Sequence, residues 1–399
     1  MSQQLAKKTQ EKSFIEKVWN QDAKVTILSV VLALVIGSVL IAFTNPQVIE
    51  AMGYFFGRPS DTFVAIWKAV VGAYGALLQG AIFNPTAGNF AGMIRPLTET
   101  LTVATPLIFA GLGITIAFRA GLFNIGAQGQ IMIGALFATV IAIHMSLPGV
   151  IHLPLVILAG FIGGALWGGI AGVLKAYTGA HEVILTIMLN YVATYLLLWL
   201  LTLPFLQRPG ATDPISPLIP KSAMYPLLLG HNFRLHLGFL IAIAAVFFAQ
   251  WLLEKSTLGF SLRAVGSNPK ASEAAGINVP LSYVIVMALA GGFAGLAGVA
   301  QVSGTEHVLT AGIAASFGFD AITVALLGRS KPWGTFWAAL LFGAFRAGGS
   351  SMQVNTGTPI DIVLVVQSLI VLFIVAPALV REIFKIKEPE AKELKEETA

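Results

Sequence analysis

From about residue 25 the chain alternates between apolar runs of near bilayer-spanning length and short polar breaks. Helical spans are predicted at about 25–43, 98–117, 127–145, 152–174, 183–204, 236–253, 280–302, 314–328, 333–349 and 359–380. The eighth and ninth are short and meet at "LGRSKPWG", as two tilted crossings or as a re-entrant pair. The stretch Phe63–Phe83 is apolar but carries Lys68 and several glycines, and is expected to form an external helix lying against the membrane. The fold class is therefore an all-α polytopic membrane protein of about ten transmembrane helices.

Composition agrees with that pattern. Of 399 residues, 56% are hydrophobic and 11% charged, whereas an average soluble domain carries about 25% charge. The surplus of basic residues lies in the breaks and does not point to nucleic acid. Residues 1–24 are long, polar and mixed in charge, so the first apolar run is expected to be a retained span. The expected organisation is a cytoplasmic tail at 1–24, a transmembrane domain at 25–380 with a cytoplasmic loop at 254–280, and a cytoplasmic tail at 381–399. With both termini inside, 17 of the 24 Lys and Arg fall on the cytoplasmic side, as the positive-inside rule requires.

The polar residues within the runs are few. "FRAGLFNIGAQGQ" (Phe118–Gln130) places Asn124, Gln128 and Gln130 between two spans, and "HEVILTIMLNY" adds Glu182 and Asn190. Neutral amides both donate and accept, which suits an uncharged polar solute or a neighbouring helix equally. The glycines around Asn124 permit a broken helix. Asp320 reads as a cap of the helix that opens at "DAITVALLG". So few intramembrane acids argue against ion coupling. The sequence has no cysteine and no G-x-x-x-x-G-K-[ST] string, so thiol chemistry is excluded and ATP hydrolysis would need another chain. No metal site or bound cofactor is expected.

Gly160, Gly164, Gly168 and Gly172 recur every fourth residue, and Gly291 and Gly295 repeat the spacing in "LAGGFAGLAGV". Such strips bring helix backbones close in lipid. The recurrence fits an internal repeat or ordinary packing. In the 254–280 loop, Asn268 and Pro269 open a short helix that Gly276 closes, a form suited to docking another subunit or to a plain connector.

Four ordered stretches carry a resemblance: "TPLIFAGLGITIAFRAGLFNIGAQGQ", "HEVILTIMLNYVA", "STLGFSLRAVGSNPKASEAAGINV" and "GFDAITVALLGRSKPWGTFWAALLFGAFRAGG". Together they resemble bacterial ABC importer permeases of the branched-chain amino acid, ribose and nucleoside group, in its nucleoside branch. Two positions depart from that branch: Gln128 stands where Glu is usual, and His181 where a small or amide residue is usual.

The resemblance implies a type II importer permease fold in the bacterial plasma or inner membrane. It implies docking on an ABC ATPase subunit through Arg263, Asn268, Pro269, Ala275 and Gly276. It also implies a related second permease subunit forming a heterodimer, an extracytoplasmic solute-binding lipoprotein, and surrounding membrane lipid. Asn124, Gln128, Gln130, Glu182 and Asn190 are the expected solute path, with nucleosides as solute and ATP hydrolysed by the partner. A simple sugar or riboflavin as solute, or an ion-coupled carrier working alone, are the alternatives.

Overall fold

In lipid a lone segment satisfies its own N–H and C=O groups only as a helix, and the apolar runs take that form. The computed structural model describes residues 21–385. Among them, extended pairing is limited to two isolated bridges, Ile215 with Thr310 and Leu227 with His236. Among the described residues, eight helices are long and apolar enough to cross a membrane.

The described chain divides into two units, one holding residues up to Ala73 and from Thr356, the other Tyr74–Asn355. In the first, α1 (Gln21–Thr44) packs on α14 (Ile360–Val375) and α15 (Pro377–Ile383). Its row Ile27, Val31, Val35, Val39 and Phe43 is exposed, as a lipid-facing stripe would be. Asn45 caps α2 (Pro46–Gly53) by accepting from the N–H groups of Gln47 and Val48. The Thr62 hydroxyl, near the start of α3 (Pro59–Ala81), donates to the Ala51 carbonyl at 2.9 Å. Phe63–Phe83, expected as an external helix against the membrane, falls largely within a continuous helix of 23 residues that is long and apolar enough to cross by length and composition alone. Lys68 lowers its hydropathy without interrupting it.

The second unit contains α4 (Phe90–Arg119), α5 (Ala127–His144), α6 (Gly149–Thr178), α7 (Glu182–Leu200), α8 (Gly238–Lys255), α9 (Thr257–Ser267), α10 (Pro269–Ala274), α11 (Val279–Val299), α12 (Phe317–Leu327) and α13 (Pro332–Thr356). Helices α4, α5 and α11 are mostly buried, whereas α6 and α7 turn most of their surface outward. Helix α11 starts beside α10, at what we term the proximal end, and continues as a π-helical stretch Ala300–Glu306 at the distal end.

Glycine sets the spacing of the interior. Gly160, Gly164, Gly168 and Gly172 of α6 all face the antiparallel α11. A Cβ on Gly164 would stand 2.2 Å from the Gly291 carbonyl oxygen, and one on Gly295 would stand 2.2 Å from that of Gly160. Helix α5 enters the same contact, since a Cβ on Gly134 would lie 2.3 Å from the Gly295 Cα. Backbone meets backbone along three helices, the close approach that small residues permit in membranes.

The segment 314–349, open between two readings, has a mixed form. From His307 the chain runs irregularly inward from the distal end to Ser316, then becomes α12. At 11 residues α12 is about 16 Å long, half the ~30 Å hydrocarbon core. It ends beside α4 at the proximal end, turns through Gly328–Lys331 with positive φ at Arg329 and Ser330, and α13 returns over 25 residues. The crossing is half helix and half irregular chain, which is tolerated where protein surrounds it.

A cap of irregular chain, residues 201–237, covers the distal end. Its main chain bonds the segment beneath it: Ser216 N–H to the Leu309 carbonyl (3.0 Å), Ile219 to His307 (3.0 Å) and Tyr225 to Ser303 (2.8 Å). His152 of α6 anchors it through a 2.8 Å bond between Nδ1 and the Ser222 hydroxyl. Within the cap His236 is 1% exposed. Burial, with the nearby His307 and Arg234, pushes its imidazole down to about 4 from 6.5.

Two outcomes test this packing. Gly164→Val should destabilise the protein by roughly 1–3 kcal/mol or more. Gly169→Ala on the same helix, where a Cβ meets only Ala288 at 3.9 Å, should leave the unfolding temperature unchanged. Equal effects would refute the contact. For His236, the unfolded chain binds more protons between about pH 6.5 and pH 4, so stability is full above that window and falls as pH drops through it. Acidification should therefore lower the unfolding temperature of the wild type more than that of His236→Gln. Parallel slopes would show that His236 is not the group responsible.

Candidate functional site

The break between α4 and α5 is built around backbone groups that helices would otherwise satisfy. Helix α4 closes with the Leu122 N–H on the Ala117 carbonyl (3.0 Å), and Gly121 takes φ +73°. No side chain fits at Gly121, because a Cβ there would lie 3.0 Å from the Gly266 Cα of α9. The chain then runs without regular structure to a turn at Gly126 before α5 begins.

Helix α7 supplies what this stretch lacks. The Ile125 N–H donates to the Thr186 hydroxyl at 3.3 Å, and the Ile125 carbonyl accepts from the Asn190 amide at 2.9 Å. The Asn190 side-chain oxygen, Oδ1, also accepts from the Gly129 N–H at 2.8 Å. That N–H is one of the four a helix start leaves unpaired, so Asn190 caps α5 from a neighbouring helix. Asn124 folds back on the same turn: its Oδ1 accepts from the Gly126 N–H (2.9 Å) and from Gln130 Nε2 (3.3 Å), while its Nδ2 donates to Gln130 Oε1 (3.0 Å). Asn124 and Gln130 are almost completely buried.

Gln128 reaches the other interrupted element. Its Nε2 donates to the Ala315 carbonyl at 2.6 Å, and its Oε1 accepts from the Gly318 N–H at 3.1 Å, so one amide holds both sides of the entry to α12. Gly318 is required there, since a Cβ would stand 2.3 Å from the backbone nitrogen of Gln128. Behind that turn, Arg346 of α13 bonds the Ser316 hydroxyl, lies 3.6 Å from Asp320 and stacks 4.3 Å over the Phe317 ring. Asp320 therefore does not cap α12 as its sequence position suggested. It sits within the first turn and pairs with Arg346, whose cation lies too deep to be left without a counter-charge.

Four of the five path residues named from sequence, Asn124, Gln128, Gln130 and Asn190, meet in this network. Glu182 stands apart, paired with Lys175 at 2.8 Å across the turn between α6 and α7. Sequence reading passed over three participants, Thr186, Ser316 and Arg346. Thr186 had a signal, because Glu182, Thr186 and Asn190 share one helix face at four-residue spacing. Ser316 and Arg346 had none, since their meeting depends on the turn between α12 and α13.

The 254–280 loop adjoins the break. Asn268 Oδ1 accepts from the Ala271 N–H (3.1 Å), Pro269 opens α10, and Gly276 ends it at φ +84°. Pro269, Ala275 and Gly276 are exposed, and Arg263 is half-buried on α9. At Gly266 a Cβ would lie 2.7 Å from the Arg119 carbonyl oxygen, so α9 rests directly on the end of α4.

A multi-pass helical bundle with two interrupted crossings joined through a buried amide is an arrangement that membrane permeases use. The comparisons with known proteins carry the same class. The family model described as "Branched-chain amino acid transport system / permease component" matches residues 97–375. The glucose ABC transporter permease TsgB13 of Haloferax volcanii is 39% identical over 291 residues, covering 70% of this chain and 76% of its own. The guanosine ABC transporter permease NupP of Bacillus subtilis is 36% identical over 325 residues (81% and 91%). The nucleoside ABC transporter permease NupB of Lactococcus lactis is 35% identical over 337 residues (80% and 91%). No solved structure matches. This chain belongs to the branched-chain amino acid transport system permease family and is a non-enzymatic, multi-pass ABC transporter permease.

The network makes one clear prediction. Asn190→Leu keeps the side-chain size but strands the Gly129 N–H and the Ile125 carbonyl in a buried site. It should lower stability by roughly 2–5 kcal/mol, measured as a drop in unfolding temperature of the purified protein. A stability equal to wild type would show that these bonds are dispensable.

Proposed function

We propose that the chain is the membrane-spanning subunit of an ATP-driven importer for nucleosides. The observation that carries this reading is the similarity to the guanosine permease NupP, which extends over 91% of that protein. Sugar import is the second reading, favoured by the similarity to the glucose permease TsgB13.

In this mechanism the proximal end, with both termini, is cytoplasmic, and the distal cap faces outward. An ABC ATPase subunit docks on α9 and α10 around Arg263, Asn268, Pro269, Ala275 and Gly276, and hydrolyses the ATP; the chain itself holds no cofactor. A related second permease subunit completes the pore as a heterodimer, and a solute-binding lipoprotein delivers the solute from outside. The contact of Gly266 with the end of α4 supports a short mechanical route. Displacement of α9 moves the Arg119–Gly126 break, and Gln128 carries that movement to α12. Asn124, Gln130 and Asn190 shape the route by holding the break in form, with Gln128 at its border and Glu182 bracing the cytoplasmic turn.

The deciding experiment measures uptake of labelled guanosine by the native host, with and without this gene, and with ATP depleted. Uptake should require both the gene and ATP. Gly276→Leu, which forces a side chain into a left-handed turn, should abolish uptake while the permease still accumulates in the membrane. Unchanged guanosine uptake in the deletion strain, with loss of glucose uptake, would replace the nucleoside reading by the sugar reading.

A further inference from the structure

At the distal end a group of buried polar atoms is left without hydrogen-bond partners. They are the Tyr225 hydroxyl, His236 Nε2, the Ser303 hydroxyl and His307 Nδ1. Tyr225, His236 and Ser303 are each at least 97% buried. Buried polar groups are nearly always paired, so several orphans in one place call for an account of what they bind.

Specific contacts gather them. The Tyr225 and His236 rings stack 5.3 Å apart at an interplanar angle of 8°. The Tyr225 N–H donates to the Ser303 carbonyl at 2.8 Å, fixing the cap onto the π-helical stretch. The His236 ring edge lies over Gly304, where a Cβ would come within 2.3 Å of Nε2, so only glycine admits the imidazole. His307 follows three residues later with φ +58°, an uncommon conformation for a residue with a side chain. Its charge state is felt at His236.

The chemistry of the group can be read from these bonds. The Gly238 N–H donates to His236 Nδ1 at 3.2 Å, so that nitrogen presents its lone pair. The neutral ring therefore carries its proton on Nε2, which is a donor. Two hydroxyls that donate or accept stand with it, and His307 Nδ1 adds a ring nitrogen. The charges nearby are engaged or turned to solvent: Arg234 and Arg95 both approach Glu99, at 3.5 and 3.9 Å, and Glu306 is exposed. Uncharged donors and acceptors beside stacked rings suit a neutral molecule with hydroxyls and heterocyclic nitrogens, and suit an ion poorly.

We propose that Tyr225, His236, Ser303 and His307 form an outer receiving site for a neutral, hydroxyl- and nitrogen-bearing solute, covered here by the cap. The site opens when the cap parts from the π-helical stretch. It lies distal to the Asn124–Gln128 network, beyond the level at which Gly168 meets both Gln130 and Gly291, and a solute meets it first. The π-helical turn is a segment suited to that motion, because such turns interrupt the regular ladder and are frequent at functional sites. This inference rests on the import reading.

The absence of cysteine from the sequence gives a direct test. Ser303→Cys, in the complete importer in intact host cells, introduces one thiol for a membrane-impermeant maleimide. Labelling should be slow in ATP-depleted cells and several-fold faster in energised cells, and added guanosine should slow it again. No labelling in either state would overturn the proposal, as would labelling that neither guanosine nor glucose affects. Protection by glucose alone would uphold the site and discard only the nucleoside assignment. Tyr225→Phe removes a single hydroxyl and should raise the KM for the transported solute several-fold, with little change in maximal rate. An unchanged KM with a lowered unfolding temperature would mean that the hydroxyl serves only the fold, and would also overturn the proposal.

Discussion

A peptide group inside a membrane has no water to fall back on, and the architecture of this permease depends on how that constraint is met at Ile125. Helix α7 supplies both partners that Ile125 lacks, Thr186 for its N–H and Asn190 for its carbonyl, and Asn190 extends to Gly129. An unsatisfied group at that depth costs several kcal/mol, so the break between α4 and α5 exists only because α7 lies beside it. Asn124 and Gln130 complete the turn from within. The polar side chains thus make an interruption stable where the lipid environment would otherwise impose a continuous helix.

Two contacts tie that interruption to the rest of the unit. The glycine-lined meeting of α5, α6 and α11 places backbones against one another, so these helices move as a packed body rather than through flexible side chains. On either side of the break, contacts of similar closeness lead outward: Gly121 against Gly266 of α9, and Gln128 against the turn before α12. The exposed loop at the proximal end and the half-length helix in the interior are therefore separated by only a few rigid contacts. An energy-coupled permease needs such a connection, because docking at the surface must alter the interior.

The distal end follows a different logic. Its cap is irregular chain held by main-chain bonds to residues 303–309 and by the His152–Ser222 bond. Irregular backbone can part from a partner segment without unravelling a helix. The orphaned polar atoms beneath it belong to the same feature, since groups without internal partners cost little to uncover.

The sequence by itself determined the class and most of the helix positions. Apolar runs of spanning length in a chain with 11% charge leave no other fold, because only helices close their own hydrogen bonds in lipid. It also marked Asn124, Gln128 and Asn190 as exceptional, since isolated amides among aliphatic residues stand out by type alone. Two things were decided only by the tertiary structure. Residues 307–327 are half irregular, because Gln128, nearly two hundred residues earlier in the chain, satisfies both sides of the entry to α12. Asp320 became the partner of Arg346 rather than a helix cap, because the turn at Gly328–Lys331 brings α13 back alongside α12. In each case the local pattern reported what a segment could do alone, while the outcome depended on which distant group arrived to pair with it.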